Sequence, residues 1–280
     1  MRIHHIFHSG FLVITRHSAL LFDWYTGDLP QIPRDRRLYV FCSHAHADHY
    51  SPRIWELQID HPEVIYILDE GIEDANHHPE ARIVIVAPQM CYEIDGRIIR
   101  HCSLERWNYG SREEGESDPG SPGEDAAIRI HTLESTDMGV AFCVETEGRR
   151  IYHAGDLNVW YWNDEPMEDN IASEHKCCEQ MQILADMYRH EPAQTGEGAG
   201  FHQEHGRKED LIDVAFVPLD PRLEEHAPRC IAAFMDILGA PYVFPMHYWE
   251  REEEARAYLR DPRLAKYTDR IIFDRDVELF

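Results

Sequence analysis

His44-Ala45-His46-Ala47-Asp48-His49 puts three imidazoles and one carboxylate into six consecutive residues. Imidazole nitrogen and carboxylate oxygen are the donors that hold borderline divalent cations at neutral pH, and a cluster this dense is hard to account for as packing. A solvated polar loop is the ordinary alternative. It leaves unexplained why the cluster directly follows the apolar, strand-like run Leu38 to Ser43, since loops mounted on buried strands commonly carry binding groups. Three other apolar runs also end in a possible ligand: Leu20-Leu21-Phe22-Asp23, Tyr152-His153-Ala154-Gly155-Asp156 and Phe244-Pro245-Met246-His247.

In form and in order, these four segments resemble the metallo-beta-lactamase superfamily, whose signature loop follows a strand and reads H-x-H-x-D-H. With the opening segment around His8, the resemblance covers most of the chain, from Ile6 to His247. It implies an α+β fold in four layers, αββα, with two mixed β-sheets packed face to face and helices on the outer faces. It also implies that His44 and His46 bind one metal ion, that Asp48, His49 and His247 bind a second, and that Asp156 bridges the two. Asp23 becomes a buried support for the metal loop.

The expected cofactor is therefore a pair of divalent cations, zinc first, with manganese or iron tolerated. Two such ions about 3.5–4 Å apart make a shared water lose its proton near neutral pH. The implied activity is a metallo-hydrolase in which that hydroxide opens an ester, lactone, amide or phosphodiester in a small organic substrate, with Asp48 and Asp156 as the catalytic carboxylates. Two alternatives stand beside it: a di-iron redox protein of the same fold, and a metal-binding protein without turnover.

One departure from the family pattern concerns the first metal. The superfamily usually supplies another His between the signature loop and the Gly-Asp strand, where this chain reads Glu134-Ser135-Thr136-Asp137-Met138-Gly139. Asp137 is the nearest substitute, and a carboxylate there would make the site harder. His131 is the rival, although the alternating run Ile128-Arg129-Ile130-His131 suggests a strand side chain, and a single-metal or water-completed site is the remaining alternative. His8, in His8-Ser9-Gly10-Phe11, resembles the opening of the lactonase-like branch; it either faces the site or is a partly exposed residue at a strand end. Trp160, Trp162 and the pair Tyr248-Trp249 follow the metal-bearing segments, as a pocket wall or as core packing. Arg222 could pair an anionic group of a substrate, or simply serve its loop.

These residues need strands that end at one place. Short runs rich in Val, Ile, Tyr and Phe predict strands at Ile3–Phe7, Phe11–Thr15, Ala19–Asp23, Leu38–Ser43, Val64–Leu68 and Ile83–Ala87. A helix is expected from Ser51, which can cap it, with Pro52 in its first turn. More strands follow at Ile128–Leu133, Val140–Thr146 and Arg150–His153, the last two joined by the tight turn Glu147-Gly148. Cys177, Met181, Leu184 and Tyr188 form the apolar stripe of a helix. Then come a strand at Asp213–Val217, a helix bearing Ile231, Met235 and Leu238, a strand at Tyr242–Met246, a helix at Glu250–Arg260 and a terminal strand at Ile271–Phe273. Two Gly- and Glu-rich stretches, 103–125 and 191–210, read as surface excursions from a single domain spanning 1–280.

Lys and Arg total 27 against 52 Asp and Glu, a formal charge of -25. Such a surface repels phosphate backbones and anionic headgroups, so nucleic acid and membrane are not expected partners. A small-molecule substrate is expected, and a homo-oligomer is compatible with the sequence. The amino terminus lacks a signal-peptide core and no window approaches a membrane span, which predicts a cytoplasmic protein. The seven scattered cysteines read as reduced core thiols.

Overall fold

Alternation along the strands decides which layer each one faces. The structure is a computed structural model that describes residues 1–95, 98–104, 128–190 and 210–279. Its strands are β1 (Arg2–Phe7), β2 (Gly10–Ile14), β3 (Ser18–Phe22), β4 (Arg37–Cys42), β5 (Ile65–Asp69), β6 (Arg82–Val86), β7 (Met90–Asp95), β8 (Ile98–Ser103), β9 (Ile128–Glu134), β10 (Val140–Thr146), β11 (Arg149–His153), β12 (Val214–Pro218), β13 (Tyr242–Met246) and β14 (Asp276–Glu278). They form two seven-stranded mixed sheets, ordered β14-β1-β2-β3-β4-β5-β6 and β13-β12-β11-β10-β9-β7-β8.

Leu20 and Phe22 of β3 and Tyr39 and Phe41 of β4 point into the core shared with the second sheet. Their neighbours Ala19, Leu21, Leu38, Val40 and Cys42 point the other way, into a second core. That opposition is the two-residue period of a strand buried on both faces. Rings join the sheets across the middle: Phe11 stacks on Phe216 at 4.1 Å between centroids and Phe41 meets Phe142 edge-on at 5.3 Å. The outer face of the first sheet is covered by Ile54, Trp55 and Leu57 of a 3-10 helix, Pro52–Ile59. Cys177, Met181, Leu184 and Tyr188 of α1 (Met167–His190) are buried in the core that includes the second sheet, and α2 (Arg229–Ile237) packs beside α1. A short α3 (Glu252–Ala257) follows β13. The architecture is the expected α+β sandwich.

Several expectations are corrected. The segment after Ser51 is a 3-10 helix, with the Ser51 side chain accepting from Arg53 N–H. β7 and β8 were not foreseen, because Glu93, Asp95 and Arg100 interrupt their apolar pattern. The terminal strand is Asp276–Glu278 on β1, while Ile271 makes only an isolated bridge to Val243. The stretches 103–125 and 191–210 lie outside the described residues, save Ser103, Leu104 and Asp210. The Glu147-Gly148 turn has φ of 51° and 71°, the left-handed pair that a two-residue hairpin between twisted strands demands. None of the seven cysteines is in a disulfide. Among the described residues no helix is long and apolar enough to cross a membrane.

Phe142 is wholly buried where the sheets meet. Phe142→Ala is expected to cost about 3–5 kcal/mol, read as a lower denaturant midpoint. Ile59→Ala, at an 83 % exposed position, should stay within about 0.5 kcal/mol of the parent.

Candidate metal centre

Parallel pairing brings the carboxyl ends of β3 and β4 to one edge of the first sheet, with Phe22 opposite Phe41. It does the same for β11, β12 and β13 in the second, with His153 opposite Phe216 and Pro218 opposite Met246. Asp23, the His44 loop, Asp156, Asp220 and His247 follow these five ends in turn. β1 runs in the same direction as β3, being antiparallel to β2 as β3 is, so His8 in the β1–β2 turn arrives at the same edge.

Each imidazole is aimed by a partner behind it. Asp23, fully buried, accepts from Ser43 N–H and Ser43 Oγ, both at 2.7 Å, and from His49 Nδ1 at 2.7 Å. With its hydroxyl proton given to Asp23, Ser43 Oγ accepts from His44 Nδ1 at 3.0 Å. His247 Nδ1 donates to Asp220 Oδ2 at 3.0 Å, and Arg222 Nε donates to the same oxygen at 2.8 Å. A carboxylate on one ring nitrogen fixes the tautomer and turns the lone pair of the other toward the site. His153 ties the loops together: its Nε2 donates to Ser9 O at 2.8 Å and its Nδ1 accepts from Gly155 N–H at 3.1 Å.

The freed nitrogens converge on one carboxylate. His49 Nε2 and His247 Nε2 each lie 3.1 Å from Asp156 Oδ1, and His44 Nε2 lies 3.4 Å from Asp156 Oδ2. His46 Nδ1 is 3.0 Å from His44 Nε2. Candidate ligand atoms fall into two groups, each within 4.8 Å internally: His44, His46 and Asp156, and His8, Asp48, His49 and His247. His49 Nε2, His247 Nε2, Asp156 Oδ1 and both ring nitrogens of His8 are buried without a hydrogen-bond partner. Orphaned buried polar atoms are costly in a protein-only site, and here they face one another as ligands around cations do. The residues fit divalent metal.

The electrostatics follow from the same packing. Burial opposes charge on His49, yet the Asp156 and Asp23 carboxylates push its imidazole up to about 10. His247 is raised against burial by Asp156 and Asp220. Despite its own burial, Asp156 is held well below the usual carboxylate range by His247 and His49. Burial pushes His8 and His44 down to about 4, leaving both neutral and able to ligate.

Asp137 is not brought to the site: it is exposed and belongs to neither ligand group. The turn that carries it is held against the loop of Asp156, through Thr136 Oγ1, which donates to Asn158 O at 2.7 Å and lies 3.2 Å from Asp156 O. Gly139, at φ 71°, lies so close to the signature loop that a Cβ would stand 2.0 Å from Ser43 O. His131 is also absent from both groups, facing Glu145 Oε1 at 3.1 Å inside the second sheet. Tyr248 is core rather than pocket wall, its hydroxyl 3.1 Å from His5 Nδ1. Trp249 is half-buried, its ring centre 4.1 Å from that of His8. Trp160 stands edge-on to His247 at 5.7 Å and parallel to Trp162 at 6.0 Å. Arg222 lies 5.8 Å from the Trp162 ring centre and 5.7 Å from that of Trp249. Asp220 is the residue that sequence reasoning missed; its signal was another apolar strand, Val214–Pro218, followed closely by a carboxylate.

Two face-to-face mixed sheets, outer helices and these ligand loops at the strand ends are the arrangement that the resemblance to the metallo-beta-lactamase superfamily implied. The chain is similar to Igni18, a metallo hydrolase from the archaeon Ignicoccus hospitalis, with a TM-score of 0.55 and 13% identity, covering 100% of this chain and 99% of that one. It is also similar to CmlA, a diiron beta-hydroxylase from Streptomyces venezuelae, with a TM-score of 0.50 and 10% identity, covering 99% of this chain and 53% of that one. In sequence it is 25% identical over 173 residues to a UPF0173 metal-dependent hydrolase of Opitutus terrae, a match that covers 57% of this chain. The match spans 64% of that relative's length. No family model matches the chain.

Removing the carboxylate behind His247 should loosen metal binding. Asp220→Asn is expected to lower affinity about 10–100-fold in competition against a chromophoric chelator. Asp137→Ala should leave that affinity at the parent value; a comparable loss there would return Asp137 to the ligand set.

Proposed function

We propose that the protein is a metal-dependent hydrolase acting on a small organic substrate through an ester, lactone, amide or phosphodiester bond. The observation that carries this reading is the convergence of His44, His49 and His247 nitrogens on the two oxygens of Asp156, with His46 beside His44. His44, His46 and Asp156 would hold one divalent cation, and Asp48, His49, His247 and the other oxygen of Asp156 a second. Metal bound there would supply an acidified water and polarisation of a carbonyl or phosphoryl group.

The chain's own residues do the rest. Asp156 offsets charge between the two positions. The Asp48 side chain, about a quarter exposed, is the carboxylate of the site open to solvent, and it orients the attacking water by accepting its hydrogen bond. Trp160, Trp162 and Trp249 form an aromatic rim that removes water from an organic group bound beside His247. Arg222 stands among those rings with its charge largely engaged by Asp220, so it suits a polar or weakly anionic substituent better than a polyanion. The acidic surface supports small molecules over nucleic acid as substrates.

CmlA shares the fold, so the fold leaves the metal open and a di-iron redox protein is the second reading. Metal analysis with a broad hydrolytic screen tests both. Turnover with zinc or manganese, lost on chelation, restored by metal and absent in Asp156→Ala, is the expected result. Iron with redox-active spectra and no hydrolysis would favour the second reading. Equal hydrolysis by the parent and Asp156→Ala would remove the reaction centre from this site.

A further inference from the structure

The two ligand groups are unequal, and the inequality has three independent sources. The first group has two imidazoles and one oxygen of the shared carboxylate, and the exposed Asp137 is not among them. The second has His49, His247 and Asp48, with the other oxygen of Asp156 3.1 Å from both imidazole nitrogens. Support differs as well. His49 and His247 are each backed by a buried carboxylate, whereas His44 is backed by the Ser43 hydroxyl. Burial is the third: His46 is partly exposed, and His49 and His247 are not.

His8 falls on the stronger side. Its ring is 2 % exposed, yet neither nitrogen has a hydrogen-bond partner, and the nearest carboxylate oxygen is Asp48 Oδ2 at 3.5 Å from Nε2. The ring centre lies 4.1 Å from that of His247 and 5.8 Å from that of His49. The backbone holds this position at φ 55°, a conformation that a β-carbon-bearing residue adopts only where its surroundings compel it. A buried imidazole whose Nδ1 has no hydrogen-bond partner and whose Nε2 has only the 3.5 Å contact with Asp48 is unfavourable as packing and well suited as a ligand.

Resting on the metal-dependent reading above, we propose that His8 is an additional protein ligand of the second position, making it a site of three imidazoles, Asp48 and one oxygen of Asp156 that fills first. The first position, short of an imidazole, then fills only at higher metal concentration. The protein passes through a one-metal form in which the ion sits among His8, Asp48, His49 and His247. Imidazole-rich ligation of this kind favours zinc, cobalt or iron over magnesium or calcium.

Calorimetric titration of metal-free protein with zinc, and cobalt titration followed by visible absorption, test the proposal. Two events are expected, the first at least about 10-fold tighter than the second. His8→Asn is the informative variant, because Asn tolerates the left-handed backbone while offering a shorter, poorer donor. It should weaken the first event by at least about 10-fold, shift the cobalt bands of the first equivalent and leave the second event in place. His46→Ala should remove the second event and spare the first. Equal affinities in the parent would overturn the proposal. So would a His8→Asn protein whose first event and cobalt spectrum match the parent's, which would leave His8 as packing against Trp249. Circular dichroism of each metal-free variant checks that it is folded; should His8→Asn not fold, the His46→Ala titration decides the order of filling. Binding of no divalent ion by the parent would instead overturn the metal-dependent reading itself, together with this inference.

Discussion

One buried carboxylate organises the site. Asp156 presents Oδ1 to His49 and His247 and Oδ2 to His44, so its two oxygens divide the imidazoles into two groups. Asp23 and Asp220 lie behind those imidazoles, and Asp48 stands beside them. Four carboxylates within a largely buried shell are tolerable only if positive charge sits among them, since an unpaired buried charge is strongly unfavourable. Imidazoles supply part of that charge, and metal held at the orphaned nitrogens would supply the rest.

Holding that arrangement strains the backbone where the loops turn. His8, Asp23, His247 and Trp249 all have positive φ, as do Gly139 and Gly155. For residues other than glycine such conformations cost about 1–3 kcal/mol each and persist only when the surroundings over-determine them. Here the over-determination comes from strands paired in register behind every loop and from cross-loop hydrogen bonds such as His153 to Ser9. At Gly155 a Cβ would sit 2.8 Å from Ser43 Cβ and from Val140 O, so close approach of the two loops requires glycine there. The sandwich core keeps the strained loops in place, and the loops carry the ligands.

Chemistry and specificity reside in different parts of this edge. Under the proposed reading the ligands would set what kind of ion is held, while Trp160, Trp162, Trp249 and Arg222, gathered beside His247, would shape what can approach it. The fold hosts a metallo hydrolase in one neighbour and a diiron hydroxylase in another, which is why function is argued from the site.

Much of the frame was legible in order along the chain. Period-two apolar runs marked most of the strands, and donors placed just after them marked the His44 loop, Asp156, His247 and Asp23, because both signals are local. β7 and β8 were not legible, since charged residues broke their pattern. What only the tertiary structure decided were the contacts between loops remote in sequence. Asp220 was unremarkable until β12 set it behind His247, and His8 was ambiguous until the β1–β2 turn arrived beside Trp249. Asp137 was a reasonable ligand by position, but it is exposed and outside both ligand groups. Sequence records which donors follow which strands; which way a loop side chain points depends on neighbours that only folding brings near.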